Sequence, residues 1–379
     1  MDKFINFSKP IIPANTKKYL EEVLTTGKLA GDHKFTKKCS EWLEMQTKSK
    51  KIFLTTSCTH ALEMAAILLN IKEGDEVIMP SYTFSSTANA FILRGARIIF
   101  VDIRPDTMNI DEKLIEAAIT KKTKAIIPVH YAGVSCEMAP IKEIASAYNI
   151  FIVEDAAQGM MATYKGKSLG TWGEIGAYSF HETKNYTCGE GGALLINHED
   201  FIERAEIIRE KGTNRTSFFR GEIDKYSWID IGSSYLPSEL NAAFLYAQLK
   251  MAEKIKTNRL RSWNLYFHRL KHLEHLGSIK LPVVPKECKH NAHIFYIKVK
   301  SLTERTKLLI RLKSKNINAL FHYVPLHNTK AGRKYGRFLG VDRFTTKESE
   351  RLLRLPLYYN MSKGDIDLVC NTIEAFYKQ

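Results

Sequence analysis

The chain is poor in cysteine, with six in 379 residues, and no two stand in a C-x-x-C pair. This excludes the usual cysteine zinc sites, predicts no metal, and fits a reduced compartment. Long apolar runs are missing too: no stretch approaches the roughly 20 residues that span a bilayer. The first residues, Met1 to Phe7, lack the apolar core and small-residue cleavage pattern of a secretory signal. A cytoplasmic protein with no membrane partner is therefore expected. Internal repeats, low-complexity tracts and a glycine-rich nucleotide loop are absent as well.

What is abundant is positive charge. Lys and Arg number 56 against 41 Asp and Glu, for a formal net charge of +15. Such an excess fits a nucleic acid, an anionic small substrate or simply a basic surface. The cations are dispersed, and clusters such as Lys48–Lys51 and Lys121–Lys124 fall between periodic segments. No helix-turn-helix segment is appended, so no nucleic-acid partner is expected.

Strand-like and helical patterns alternate over the first two-thirds. His60 to Leu69 reads as a buried helix, and Glu76–Pro80, Ala96–Asp102, Ala125–His130 and Ile150–Glu154 read as apolar strands. Near-continuous apolar strands alternating with helices imply an α/β fold, with a mainly parallel sheet covered on both faces. Ligands of such sheets bind beyond the carboxyl ends of the strands, where Asp155 and His130 fall. After about residue 250 the texture changes. A long charged helix (Ala252 to His275) is followed by a strand at Ala292–Val299 and helices around 303–315 and 364–377. The expected division is a large α/β domain over 1–250 and a smaller α+β domain over 251–379.

The most specific signal is Phe151-Ile-Val-Glu-Asp-Ala-Ala-Gln158 followed by Ser179-Phe-His-Glu-Thr-Lys184, with Gly189, Gly191 and Gly192 just beyond. It places an acid at the end of an apolar strand and a lysine after a second apolar run. An Asp that keeps a pyridine nitrogen protonated and a Lys that carries an aldehyde are what pyridoxal 5'-phosphate (PLP) chemistry needs. Each residue also has a plain reading: Asp155 as a helix cap, Lys184 as a solvated turn lysine, Gln158 as a capping side chain. Ser57, Cys58 and Thr59 open a predicted helix, where free N–H groups and the dipole can hold phosphate. Hydroxyls there also serve as ordinary caps. Phe84 suits stacking on a flat cofactor, or core packing.

Together Gly27–Gly31, Thr56–Thr59, Pro80–Phe84, Glu154–Gln158, Ser179–Lys184 and Gly189–Gly192 resemble the PLP-dependent aminotransferases of nucleotide-linked sugars, the DegT/DnrJ/EryC1 family. The resemblance runs over essentially the whole chain. It implies the fold type I PLP-dependent transferase architecture (the aspartate aminotransferase fold), with an active site shared across a homodimer. By the same resemblance Lys184 is the catalytic Schiff-base lysine and Asp155 pairs with the pyridine nitrogen. Gln158 meets the ring hydroxyl, Phe84 stacks on the ring, and Ser57, Cys58, Thr59 and Ser179 hold the phosphate. Ser234 stands where many relatives carry an Asn that reaches the phosphate from the neighbouring subunit. A related dehydratase branch has His in place of the lysine; here Lys184 fills that slot, which favours transamination.

Segments Phe180–Tyr186, Arg209–Arg215, Asp230–Leu236, Phe321–His327 and Thr345–Pro356 resemble one branch of the family. That branch implies amino transfer from L-glutamate to C4 of dTDP-4-keto-6-deoxyglucose, giving dTDP-4-amino-4,6-dideoxygalactose. Its product enters a cell-surface polysaccharide of the enterobacterial common antigen or O-antigen type. Lys28, Arg215 and Arg220 lie in matching substrate-facing loops, and His322 and His327 are candidates to touch the sugar. The alternatives are amination at C3, or of a UDP- or GDP-sugar, and a non-catalytic regulator that keeps the fold and binds nucleic acid. No single arginine stands out as the reader of the glutamate carboxylate.

Overall fold

The computed structural model describes residues 4–378. Its centre is an eight-stranded sheet. The strands are β1 (Lys51–Thr55), β2 (Glu76–Pro80), β3 (Arg97–Val101), β4 (Thr123–Ile126), β5 (Phe151–Asp155), β6 (Ile175–Ser179), β7 (Gly192–Ile196) and, from far along the chain, β9 (Gly336–Phe338). Their spatial order is β1-β7-β6-β5-β4-β2-β3-β9, and only β7 runs antiparallel to its neighbours.

Alternation along the strands explains why both faces are apolar. Ile52, Leu54, Ile78, Ile99, Val101 and Ile152 point into one core. Phe53, Val77, Met79, Ile98, Phe100 and Val153 point into the other. Successive strand side chains face opposite ways, so a sheet covered on both sides needs apolar residues at every position. Helix α1 (Cys58–Leu68) supplies much of the second core, while α3 (Met138–Tyr148) and α4 (Glu239–Leu249) pack on the first.

The expected elements are present, and two boundaries differ for local reasons. The strand expected over 125–130 ends at Ile126, close before Pro128, which has no N–H to give the ladder. The strand expected over 292–299 is Phe295–Lys298 (β8), and Ala292 upstream has a left-handed backbone at φ 52°. β8 pairs antiparallel with β10 (Leu352–Leu355). These two strands, α5 (Ala252–His275), α6 (Leu302–Lys313) and α7 (Lys363–Tyr377) enclose a core of their own, which also takes in Ile5. A further apolar cluster, Tyr82, Tyr131, Tyr296 and Leu352 among it, lies between this core and the large sheet.

Buried carboxylates fasten the pieces by collecting N–H groups. Asp102 accepts from the backbone amides of Arg343, Phe344 and Thr345, which ties the approach to β10 onto the end of β3. Glu154 on β5 is fully buried, as is His130. His130 Nδ1 accepts from Cys136 N, so Nε2 carries the proton and donates to Glu154 Oε2 at 2.8 Å. The same carboxylate accepts from Gly170 N, Trp172 N and Gly173 N.

Glu154→Ala strands these buried donors and is expected to lower the unfolding free energy by about 3–5 kcal/mol. A urea titration reads this as a lower midpoint, and an unchanged midpoint contradicts the anchoring role.

Candidate active site

β5 ends in Glu154 and Asp155, and alternation turns the two side chains to opposite faces. Glu154 faces the anchoring loop. Asp155 opens into a cavity of about 500 Å³ where the large sheet meets β10. There its Oδ2 accepts from Thr87 Oγ1 at 2.7 Å and its Oδ1 from Ala157 N at 3.1 Å. Thr87 lies on α2 (Ser85–Ile92), directly after Phe84 caps that helix. The acid is thus held from two elements with its charge toward the cavity.

Lys184 lies on the wall of the same cavity, reached by the turn that follows β6. Burial pushes its amine below the ordinary lysine value. Cys58 and Asp155 partly oppose that, and Arg354 adds to it. The Cys58 thiol goes the other way: burial first, then the Asp155 charge, holds it well above the usual thiol range. It stays neutral at the mouth of α1 and offers no thiolate nucleophile.

The start of α1 is built to receive an anion. Ser57 caps it by accepting from His60 N at 3.1 Å, and Thr59 Oγ1 donates to Ser86 Oγ at 2.9 Å. β7 passes so close that a Cβ on Gly192 would sit 2.3 Å from the Ser57 carbonyl carbon. Only glycine lets the strand and helix start approach this way. Ser179, at the end of β6, joins Ser57, Cys58 and Thr59 on the cavity wall.

Eight of the expected cofactor residues therefore meet in one cavity: Ser57, Cys58, Thr59, Phe84, Asp155, Gln158, Ser179 and Lys184. Phe84 is 59% exposed, an aromatic face left open on the wall rather than packed in a core. Gln158 is held by Ala132 N, which donates to its Oε1 at 2.7 Å, while its Nε2 donates to Tyr323 OH at 3.2 Å. An anion cup, an acid, a lysine and an open aromatic face are the donor set that a phosphorylated pyridine aldehyde requires. The residues fit PLP.

The remaining candidates lie elsewhere. Ser234 is exposed, bridged to Glu210 and away from this cavity. Lys28 is exposed after the helix Thr16–Thr26. Arg215 and Arg220 border a second cavity of about 590 Å³, where Arg220 pairs with Glu206 and Glu222. His322 does line the first cavity, stacked 3.5 Å from Tyr323, and burial keeps it well below the usual histidine value. His327 does not: it bonds Ser81 and pairs with Asp342 at 3.0 Å.

The sequence reading missed Thr87, Tyr323, His293, Arg259 and Arg354, all on the cavity wall. For Arg354 a signal existed, a lone charge inside the apolar strand Leu352–Leu355. Tyr323 lies within the branch-type segment Phe321–His327 without being singled out there, and Thr87, Arg259 and His293 lie outside the quoted motifs.

A family model for the DegT/DnrJ/EryC1/StrS aminotransferases matches residues 10–374. The chain is 35% identical to an uncharacterized protein of Methanocaldococcus jannaschii, over 99% of this chain and 98% of that one. It is 31% identical to the spore coat polysaccharide biosynthesis protein SpsC of Bacillus subtilis, over 99% and 97%. The solved PLP form of Spr1654 from Streptococcus pneumoniae superposes with a TM-score of 0.88 at 25% identity, covering 99% of both chains; a PMP form of that protein matches equally well. No helix among the described residues is long and apolar enough to cross a membrane. The family match sets aside the reading as a non-catalytic regulator. The chain is a PLP-dependent enzyme and belongs to the DegT/DnrJ/EryC1/StrS aminotransferase family.

Proposed function

We propose that this protein transfers the amino group of L-glutamate to C4 of dTDP-4-keto-6-deoxyglucose, giving dTDP-4-amino-4,6-dideoxygalactose for a cell-surface polysaccharide. The observation that carries the aminotransferase reading is Lys184 and Asp155 facing one cavity beside an anion cup. The name of the Bacillus subtilis relative supports a polysaccharide role. The branch-type segments, Phe180–Tyr186 and Thr345–Pro356 among them, support this nucleotide and this carbon.

Bound PLP supplies an electron sink for the carbon that loses a proton. The chain's residues do the rest. Ser57, Cys58, Thr59 and Ser179 would bind the phosphate, Phe84 would stack on the ring, and Gln158 would meet its hydroxyl. Asp155 holds a proton on the ring nitrogen, because an anion fixed by Thr87 and Ala157 favours the cationic partner. Lys184 would hold the cofactor through Nζ and, once the donor's amine displaces it, would as a free amine take the proton from the donor carbon and deliver it to the cofactor's aldehyde-derived carbon. Its lowered basicity keeps a useful fraction neutral.

A second copy of the chain would bring Ser234 to the phosphate, completing a site that one copy leaves open. Lys28, Arg215 and Arg220 are assigned to the nucleotide diphosphate from the loops of that shared site. His322 is assigned to the sugar. His327 is assigned to holding the wall through Ser81 and Asp342 rather than to direct contact.

Incubating the protein with glutamate and a panel of dTDP-, UDP- and GDP-linked ketosugars, then identifying the amino sugar by mass spectrometry and NMR, tests the assignment. The 4-amino galactose epimer on dTDP is the expected product, and a C3 amine or another nucleotide overturns it. Lys184→Ala should lose borohydride-trappable cofactor and all measurable turnover. Asp155→Asn should lower kcat/KM by roughly 10²–10³-fold. The direction of the Lys184 shift adds a pH test. A lowered pKa means the neutral amine appears at lower pH, so Lys184 in cofactor-free protein should be acylated with a midpoint below that of a lysine in a short peptide. Peptide mass spectrometry over a pH series reads the midpoint, and an equal or higher value contradicts the burial argument.

A further inference from the structure

Two arginines, Arg259 and Arg354, reach the cavity wall, and no carboxylate of the described residues pairs with either. Their surroundings differ. Arg259 donates from Nε to Ala292 O at 3.1 Å and from Nη2 to His293 O at 2.9 Å, so it braces the chain entering β8. The Arg354 side chain makes a single hydrogen bond among the described residues, from Nη2 to Phe321 O at 3.2 Å. Its Nε is buried with no partner, and its guanidinium lies 4.5 Å from the centre of the Phe7 ring.

The strand dictates where Arg354 points. In β10, Leu353 and Leu355 face the core enclosed by α5, α6 and α7, whereas Leu352 faces the cluster toward the large sheet. Arg354 shares the face of Leu352 by alternation. It lines the same cavity as Tyr323 and Lys184, and its charge helps to push the Lys184 amine down. A guanidinium with an unfilled fork, mostly out of water and lying over an aromatic ring, is expensive unless an anion completes it. A planar carboxylate matches that fork with two parallel bonds.

We propose that Arg354 is the residue that reads the α-carboxylate of the amino-acid donor. This rests on the aminotransferase reading above. The α-carboxylate is bonded to the same carbon whose proton Lys184 takes, so its reader must stand beside Lys184 in the same cavity. A diphosphate sits across a sugar ring from the C4 carbonyl and calls for cations farther from that lysine. Among the described residues the other arginine on the cavity wall is Arg259, which turns both Nε and Nη2 to backbone carbonyls.

The two half-reactions can be followed separately by cofactor absorbance in single turnovers. Arg354→Gln should raise the half-saturating L-glutamate concentration roughly 100-fold. Loss of the sugar half-reaction, from the PMP form with nucleotide ketosugar, should stay within about three-fold by the same reasoning. Preference for glutamate over 4-aminobutyrate, which lacks the α-carboxylate, should collapse. Arg354→Lys keeps the charge without the fork and should show the same selective loss in smaller measure. In wild-type protein, phenylglyoxal labelling of Arg354 should be blocked by 2-oxoglutarate and not by dTDP, a readout that needs no variant to fold. Equal losses in both half-reactions, protection by dTDP instead, or an unchanged glutamate requirement would each overturn the assignment. A wild-type protein inactive in both half-reactions would instead bring down the aminotransferase reading itself.

Discussion

At the carboxyl end of β5 two neighbouring carboxylates face opposite ways, and the site depends on that opposition. Glu154 is wholly buried and satisfied by His130 Nε2 and the amides of Gly170, Trp172 and Gly173. A buried carboxylate is tolerable only when its lone pairs are filled this completely. The result is a strand end that cannot shift in register. Asp155, one residue on, inherits that rigidity and holds its charge at the cavity. A one-residue slip would exchange their faces, placing Glu154 in the cavity and Asp155 against the amides.

The same device recurs where other segments must be fixed. Asp102 gathers the amides of Arg343, Phe344 and Thr345, and Glu239 gathers those of His33, Phe35 and Thr36 at the start of the helix Lys34–Thr47. Each joins segments at least 200 residues apart. Such anchors do not choose the chemistry, but they set how far the walls stand from one another. The wall that carries Arg354 and His322 keeps its distance from Asp155 and Lys184 because Asp102 holds the approach to β10.

The charge excess takes on a more specific meaning in this frame. Around the cavity the cations Lys184, Arg259 and Arg354 face Asp155 and the exposed Glu190. A positive surplus there suits the phosphate and carboxylate groups proposed to bind in the cavity. Burial lowers the basicity of Lys184 and of the neighbouring His293 and His322, so neutral imidazoles rather than further cations line that wall. The site concentrates its charge in a few placed groups.

By itself the sequence determined the parallel sheet and the strand with Asp155 at its end, and its family resemblance proposed a cofactor set around Lys184. Those signals are local: an apolar run of fixed length, an acid at its end, hydroxyls at a helix start. Pattern also sufficed for α5, because its periodicity extends over 24 residues. Only the tertiary structure decided that Arg354, Arg259, Tyr323 and Thr87 share that cavity, and that Arg215, Arg220 and His327 lie away from it within one chain. The physical reason is distance along the chain. Contacts between residues more than a hundred positions apart are set by how strands and buried carboxylates dock whole segments, and no short pattern encodes that docking. The partner of a buried arginine is the extreme case, since charge in a strand shows in the sequence while an empty fork shows only in three dimensions.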